Sequence, residues 1–344
     1  MTDEQWERLL AVIRGEKLSP LPTAFIIDSP WLPNWAGMHM LDYYASEERW
    51  LEANFKALRE FPNCLFLPGF WSEFGMCTEP SAFGAKCLFY ENEFPFAERV
   101  IQDVADIDRL EQPNPRRDGL LPFVVQRLRH CQPRIEAAGH RIRFAISRGP
   151  LNIASFLMGT TEFLTELKAS RDEIHKLVRR ITAFVREWLV YQRECFPSID
   201  GVLLLDDIVG FLGAEDYQEF GQPYLTELFG CLDVAVRFFH NDSPCRASAP
   251  YLAKTGINLF NMGIEVSLAD LQQWTGGQVA LMGNVPPRDV LAAGTPQAVA
   301  EAVERQIRAL PDTRRVLFSC GGGMPPGVST ENLRAFFAKV AAAR

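Results

Sequence analysis

The stretch Arg237-Phe-Phe-His-Asn-Asp-Ser-Pro-Cys245 changes within a few residues from an apolar run into a cluster of potential metal ligands. Residues 235–239 are hydrophobic apart from one arginine, which is typical of a strand in a covered parallel sheet. His240 falls where this strand would end. A second apolar run, residues 315–319, leads to Cys320 and a glycine-rich turn. Because the carboxyl ends of the strands form the catalytic face of a parallel barrel, we predict that His240 and Cys320 share one site.

The rest of the chain supplies enough strands for such a barrel. Eight apolar runs, each followed by helical or loop material, predict an α/β protein with a (β/α)8 TIM barrel. The predicted strands cover residues 24–28, 64–69, 141–147, 202–206, 235–239, 258–261, 278–284 and 314–319. A doubly wound sheet would instead predict a Gly-x-Gly-x-x-Gly turn after the first strand, and the residues that follow Asp28 have no such pattern.

Helical periodicity and loop residues complete the prediction of one domain over residues 1–344. The predicted helices cover residues 2–14, 47–60, 121–138, 161–195, 214–231, 268–274, 296–309 and 330–343. The first of them precedes the barrel as an N-terminal helix. Residues 76–120 are rich in proline and glycine, which predicts a loop-rich insertion that caps the barrel.

Composition excludes several classes of partner. The chain has 344 residues, 47% of them hydrophobic, and a net charge of −8. An acidic chain lacks the basic face that nucleic acid or an anionic membrane would need. No apolar stretch approaches the length of a membrane span, and the first residues are charged, so we expect a cytoplasmic protein. The eight cysteines form no Cys-x-x-Cys pair, which predicts buried thiols or isolated ligands.

Strand-end residues are the candidates for chemistry. Zinc prefers imidazole and thiolate ligands, so His240 and Cys320 are two candidates, with Asp242 or Cys245 as the third. Neighbouring Asp206 and Asp207 cannot face the same way in a strand; we expect one at the barrel mouth and the other at a helix N-terminus. The candidate catalytic acids and bases are Asp28, Asp206, Asp207 and His240.

Aromatic residues are concentrated in the segments that follow the first two strands. Clusters of this kind at a barrel mouth are typical of a pocket for a flat, apolar ligand. Together with two polar strand-end residues they form the predicted substrate-binding set: Trp31, Trp35, Trp71, Phe74, Arg148 and Asn284.

Several motifs resemble the uroporphyrinogen decarboxylase superfamily over nearly the whole chain. They are Gly149-Pro-Leu-Asn-Ile-Ala-Ser155, Leu205-Asp-Asp207, Gly283-Asn-Val-Pro-Pro287 and Cys320-Gly-Gly-Gly323. This resemblance implies a (β/α)8 barrel. In true decarboxylases the first strand leads into an arginine-bearing Met-Arg-Gln-Ala-Gly-Arg segment that binds a polyanionic tetrapyrrole. Between Lys17 and Arg49 this chain has no lysine or arginine, so decarboxylation is disfavoured.

The chain is also similar to the corrinoid-dependent methyltransferases of this superfamily. Those enzymes hold zinc with a His-x-Cys pair after the fifth strand and a cysteine after the eighth. His240 and Cys320 match that pattern, whereas Asp242 takes the place of the middle cysteine. A carboxylate in place of a thiolate makes the bound metal harder and more Lewis-acidic, which suits an ether oxygen.

The segment Trp71 to Gly84 resembles demethylating members of that branch, including aryl-ether O-demethylases. The resemblance implies an enzyme that moves a methyl group from a small methoxylated, aromatic compound to the Co(I) corrinoid of a separate carrier protein, with zinc as cofactor. The chain has no Asp-x-His-x-x-Gly corrinoid signature of its own. The alternatives are a uroporphyrinogen decarboxylase-type lyase, a methyltransferase from a methylcorrinoid to an acceptor, and a non-catalytic ligand-binding relative.

Overall fold

A computed structural model describes residues 1–343 and contains eight parallel strands in barrel order, with a small hairpin between the second and the third. The strands are β1 (Ala24–Ile26), β2 (Leu65–Leu67), β3 (Cys87–Leu88), β4 (Phe96–Ala97), β5 (Phe144–Arg148), β6 (Gly201–Leu205), β7 (Val236–Asn241), β8 (Leu259–Met262), β9 (Ala280–Val285) and β10 (Val316–Cys320). Strands β3 and β4 pair with each other in antiparallel fashion. All eight strands predicted from the sequence are present.

Strand pairing places the eight parallel strands in one continuous order. Strands β5 to β10 form a six-stranded parallel sheet in chain order, and β1 pairs with β2. A parallel bridge between Thr23 and Phe318 joins this pair to β10. No ladder joins β2 to β5 within residues 1–343; there, the backbone of Met1 exchanges hydrogen bonds with Arg141, which precedes β5.

The interior of the barrel is filled by side chains from all eight strands, as the period of two along a strand requires. This interior cluster includes Ala24, Leu65, Phe144, Leu203, Phe238, Leu259, Ala280 and Leu317. Trp6, Leu9 and Val12 pack into the same cluster from the first helix. The N-terminal helix therefore covers the amino ends of the strands and leaves their carboxyl ends free for a site.

Helices surround the strands. They are α1 (Asp3–Arg14), α2 (Leu32–Ala36), α3 (Met40–Ala45), α4 (Glu47–Glu60), α5 (Leu121–Ala137), α6 (Pro150–Met158), α7 (Thr160–Ala169), α8 (Arg171–Cys195), α9 (Ala214–Asp216), α10 (Gln222–Phe229), α11 (Leu268–Trp274), α12 (Pro296–Ala309) and α13 (Thr330–Ala342). Among the described residues, none of these helices has both the length and the apolar character that a membrane span needs.

Two of the helical predictions need correction. Residues 161–195, predicted as one helical region, form α7 and α8, which are separated at Ser170. The acidic residues Asp172 and Glu173 occupy the first turn of α8, where the helix dipole favours negative charge. The second correction is α2, a helix that is missing from the predicted set: it begins at Leu32 with Pro33 in its first turn, a position that proline tolerates.

The segment 76–120 connects β2 to α5 and holds little regular structure besides the β3–β4 hairpin. The other regular elements of this segment are two 3-10 turns, Pro80–Phe83 and Val104–Arg109. Glu79 from this segment bonds Arg148 at the carboxyl end of β5. The capping role of the segment and the single-domain organisation stay predictions.

Candidate functional site

The polar residues that gather at the carboxyl ends of β6 and β7 form the first candidate site. Leu205 of β6 pairs with His240 of β7, so the residues that follow Leu205 lie beside His240. Val236 and Phe238 face the barrel interior, and the period of two turns His240 the same way. Asp207 follows β6 and Asp242 follows β7, which brings both carboxylates to the imidazole.

The three side chains are close enough to act on one ion or one reacting atom. His240 Nε2 lies 3.7 Å from Asp207 Oδ1, and the backbone amide of Asp242 donates to the same oxygen at 3.0 Å. One potential ligand atom from each of Asp207, His240 and Asp242 lies within 4.8 Å of the other two. His240 is buried whereas Asp242 is exposed, so the group is reached from solvent on the Asp242 side.

A hydrogen-bonded asparagine sets the tautomer of His240. Asn261 Nδ2 donates to the carbonyl oxygen of Met282 at 2.7 Å, which leaves its Oδ1 as the atom 2.7 Å from His240 Nδ1. The imidazole proton therefore resides on Nδ1, and the lone pair of Nε2 points toward Asp207. This is the orientation that an asparagine or carboxylate partner imposes on a metal-ligating histidine.

The charges of this group favour a cation. Although the residue as a whole is exposed, partial burial of its carboxyl group, followed by the adjoining charge of Asp207, raises the pKa of Asp242. A divalent ion would remove the repulsion between the two carboxylates. An imidazole nitrogen with two carboxylate oxygens fits ions such as Zn²⁺ or Mn²⁺, and the exposed side leaves room for a further ligand. These residues therefore fit a metal ion.

The predicted ligand Cys320 lies outside this group, which corrects the set His240, Asp242 and Cys320. Leu317 of β10 faces the barrel interior, whereas Cys320 packs with Phe318 in the core outside the barrel. Its Sγ lies 3.7 Å from the carbonyl oxygens of Gly322 and Gly323. Burial raises the pKa of Cys320 to about 12.

The alternative sulfur ligand, Cys245, is likewise buried, and burial raises its pKa to about 11. Among residues 1–343, neither cysteine belongs to a group that could hold a metal ion. Asp207, which we predicted as a catalytic residue, takes the third position.

The side chains of Asp206 and Asp207 point in different directions, as the alternation of side chains along a strand predicts. Asp206 is fully buried, and its carboxyl oxygens accept hydrogen bonds from the amides of Leu151 and Asn152 at 2.9 and 3.0 Å. These amides belong to the first turn of α6, where a carboxylate is stabilised by unpaired N–H groups. The geometry assigns Asp206 to this helix N-terminus, and it does not support the predicted catalytic role.

Arg148 has a partner within the protein. Its guanidinium bonds Glu79 Oε2 at 3.0 Å, and its backbone amide donates to Glu79 Oε1 at 3.0 Å. Both residues are buried. The predicted substrate-binding role of Arg148 therefore requires that a ligand compete with Glu79, a residue that the sequence analysis did not single out.

Asp28 lies on the β1–β2 side of the barrel mouth, next to a second residue that the sequence analysis missed. Burial, followed by the charge of Glu73, raises the pKa of Asp28 well above its usual value. Glu73 follows β2 as Asp28 follows β1, and β1 and β2 are paired. A carboxylate just after a predicted strand was the available signal for Glu73, and the surrounding aromatic residues obscured it.

The four predicted aromatic ligands occupy different environments. Trp31 and Trp35 stack with ring centroids 4.7 Å apart, and their indole N–H groups donate to Val328 O and Thr330 Oγ1. They anchor the chain before and at the start of α13, so a substrate-binding role is not supported. Trp71 packs into the interior cluster of the barrel, and the Phe74 ring stacks on Tyr44.

Asn284 also serves the scaffold. Its Nδ2 donates to the carbonyl oxygens of Val266 and Gly263 at 2.6 and 3.3 Å, and its Oδ1 accepts a hydrogen bond from Gln306 of α12. The side chain thus joins the segment after β8 to the outer helix layer. A substrate-binding role for Asn284 is not supported.

Comparisons with known proteins agree with this fold over nearly the full length. The chain is 25% identical over 358 residues to a uroporphyrinogen decarboxylase from Xylella fastidiosa, with 96% of each protein covered. Its structure is similar to a methyltransferase from Methanosarcina mazei (TM-score 0.79, 16% identity, 98% of both chains). It is also similar in fold to a B12-independent methionine synthase from a Shewanella species (TM-score 0.57, 13% identity, 93% of this chain and 96% of the other). The family model for uroporphyrinogen decarboxylase (URO-D) matches residues 4–343, and the chain therefore belongs to this family.

Proposed function

We propose that this URO-D-family protein is a metal-dependent methyltransferase that moves a methyl group from a small methoxylated, aromatic donor to the Co(I) corrinoid of a separate carrier protein. The observation that carries the proposal is the group of Asp207, His240 and Asp242 at the carboxyl ends of β6 and β7. The fold shared with methyltransferases of known structure is consistent with it.

The negative charge that develops on the leaving oxygen must be stabilised during the reaction. When the methyl carbon is attacked by Co(I), the electron pair of the broken C–O bond stays on the oxygen of the donor. A divalent ion held by Asp207, His240 and Asp242 would supply Lewis-acid stabilisation of that negative charge. Asn261 keeps the His240 lone pair on Nε2, which preserves the ligand orientation throughout. Zinc is one ion that this donor set accommodates.

Exposed apolar side chains support a partner protein at the same end of the barrel. The large, exposed hydrophobic residues within 1–343 are Leu41, Met76, Tyr90, Phe96, Phe123, Phe211 and Ile264. Phe211 is 60% exposed and Ile264 is 50% exposed, and both follow strands next to His240. Exposed apolar patches beside a site are typical of protein interfaces. We propose that the surface around Phe211 and Ile264 receives the corrinoid carrier.

A second candidate function is the decarboxylation of uroporphyrinogen, because curated relatives with that name align over 96% of the chain. A polycarboxylate substrate would require free cationic side chains. The chain has none between Lys17 and Arg49, and Arg148 is already bonded to Glu79. These features favour methyl transfer.

One set of variants tests the proposal against its alternatives. Purified protein is loaded with Zn²⁺ or Mn²⁺ and mixed with cob(I)alamin and a panel of methoxybenzenes, and methyl transfer is followed by the loss of the cob(I)alamin absorbance. We expect Asp207→Asn and Asp242→Asn to abolish transfer, and Cys320→Ala to retain it. Consumption of uroporphyrinogen would establish the lyase, and transfer only from methylcobalamin to an added acceptor would establish the reverse methyltransferase. Absence of all three reactions would leave a binding protein.

A further inference from the structure

Five buried polar atoms without a hydrogen-bond partner lie near the carboxyl ends of β1 and β2. They belong to residues that we call the acid pocket: Asp28 (Oδ1), Ser29 (Oγ), Tyr44 (OH), Ser72 (Oγ) and Glu73 (Oε1). Ser29, Tyr44, Ser72 and Glu73 are at most 4% exposed. The large majority of buried side-chain polar atoms in folded proteins have a protein or water partner. The concentration of unpaired atoms at the ends of two neighbouring strands makes this place a candidate ligand site.

Four of these residues, Asp28, Ser29, Tyr44 and Glu73, form one cluster. The Ser29 hydroxyl lies near both the Glu73 carboxyl group and the Tyr44 hydroxyl, although neither contact has the distance and angle of a hydrogen bond. Asp28 is close enough for the charge of Glu73 to raise its pKa. Ser72 precedes Glu73 in the chain. The second oxygen of Glu73 is anchored, because it accepts a hydrogen bond from the amide of Gly75. Glu73 Oε1 is thus left as a fixed, unused acceptor.

The two arginines near the acid pocket, Arg148 and Arg127, form hydrogen bonds with other groups. Arg148 is bonded to Glu79. The Arg127 guanidinium donates to the backbone oxygens of Tyr44 and Glu73 and lies 4.6 Å from the centre of the Phe74 ring. Neither arginine donates a hydrogen bond to a carboxylate of the pair Asp28 and Glu73. A buried carboxylate pair without a bonded cation is costly unless a proton or a ligand supplies the charge.

We propose that the acid pocket binds the protonated nitrogen of an organic amine. An ammonium group offers N–H donors to the Asp28 and Glu73 oxygens, and the hydroxyl oxygens of Ser29 and Tyr44 can accept further hydrogen bonds.

A metal ion fits this position less well than an amine. The only group of three imidazole, thiol or carboxylate ligands within residues 1–343 is that of Asp207, His240 and Asp242. The inference deepens the proposed function, since it makes the methyl donor a compound that carries a protonated nitrogen.

Binding can be measured without methyl transfer, so the two proposals fail separately. The probes are benzylammonium and its neutral analogue benzyl alcohol, and affinity is measured by isothermal titration calorimetry without corrinoid. We expect benzylammonium to bind at least about 10-fold more tightly than benzyl alcohol, since a charge-assisted hydrogen bond contributes about 10- to 100-fold. Glu73→Gln and Asp28→Asn should each weaken benzylammonium by that factor and leave benzyl alcohol unchanged.

Glu215→Gln is the matched control, because Glu215 is an exposed carboxylate in the segment that follows β6. It should leave both affinities unchanged. Glu73→Gln keeps an oxygen acceptor for the Gly75 amide, so the variant should fold. Since the substitution also removes a buried charge, the melting temperature of the ligand-free variant should be no lower than that of the wild type. Equal affinity for the two probes, or unchanged benzylammonium affinity in both acid-pocket variants, would overturn the proposal. A failed methyl-transfer assay would leave this result standing.

Discussion

The group of Asp207, His240 and Asp242 opens to solvent through Asp242, whereas the acid pocket beside β1 and β2 consists of carboxyl and hydroxyl groups with buried atoms that have no partner. Both lie at the carboxyl ends of paired parallel strands. In the first region a neighbouring residue orients the central ligand: Asn261 fixes the imidazole of His240. In the second, the nearby arginines Arg127 and Arg148 bond other groups and leave the acids without a bonded cation. The first region thus suits a metal ion, and the second suits a cation that donates hydrogen bonds.

The largest expected effect comes from removing the central ligand of the first region. His240→Ala should lower the affinity for Zn²⁺ by more than about 100-fold, beyond the cost of losing a residue that only orients a ligand. Metal content of the purified protein and calorimetric titration measure this. Cys320→Ala is the control and should bind Zn²⁺ like the wild type. Loss of metal in the Cys320 variant would show that the Cys320 sulfur is a metal ligand.

Breaking the ion pair beside the acid pocket should cost folding stability. Glu79→Gln leaves the Arg148 guanidinium buried without its partner, and we expect a loss of about 3–5 kcal/mol in the free energy of unfolding. Urea denaturation measures it. The double variant Glu79→Gln/Arg148→Met should recover most of the loss, because no unpaired charge remains. A single variant as stable as the wild type would show that Asp28 or Glu73 takes over the arginine.

The orienting residue of the first region should have a smaller effect than the ligand it holds. Asn261→Leu removes the acceptor for His240 Nδ1 and should weaken Zn²⁺ binding by about 10- to 100-fold. Asn284→Leu is the control, since the side chain of Asn284 bonds the scaffold instead, and its metal affinity should not change. Similar losses in both variants would mean that the effect is structural.

The smallest effect concerns pH and a histidine on the β2 side. His140 packs against the ring of Phe70, and burial, followed by the charge of the chain's amino group, lowers its pKa to about 4. The unfolded chain binds this proton at pH values nearer 6.5, so His140 stabilises the protein above that value and loses this contribution as the pH falls toward 4. The melting temperature of the wild type should therefore fall more steeply over this range than that of His140→Asn. Parallel curves would contradict the lowered pKa.

Local patterns were sufficient for most of the scaffold. The eight apolar runs and the helices Glu47–Glu60, Leu268–Trp274 and Pro296–Ala309 were predicted where they occur, because hydrophobic periodicity is a property of neighbouring residues. The break at Ser170 was missed because helical periodicity continues across it. The division between Asp206 and Asp207 followed from alternation alone, although which aspartate faced the mouth did not.

By itself, the sequence determined the order of strands and helices and the presence of ligand-type side chains where strands end, since both depend on residues close together in the chain. Only the tertiary structure decided which of those side chains meet. Asp207, and not Cys320, lies beside His240 and Asp242, and Glu73 lies near Asp28. The direction of a side chain at a strand end depends on whether its position along the strand is odd or even, and on the path of the segment that follows. That path is set by packing between parts of the chain that are far apart in sequence.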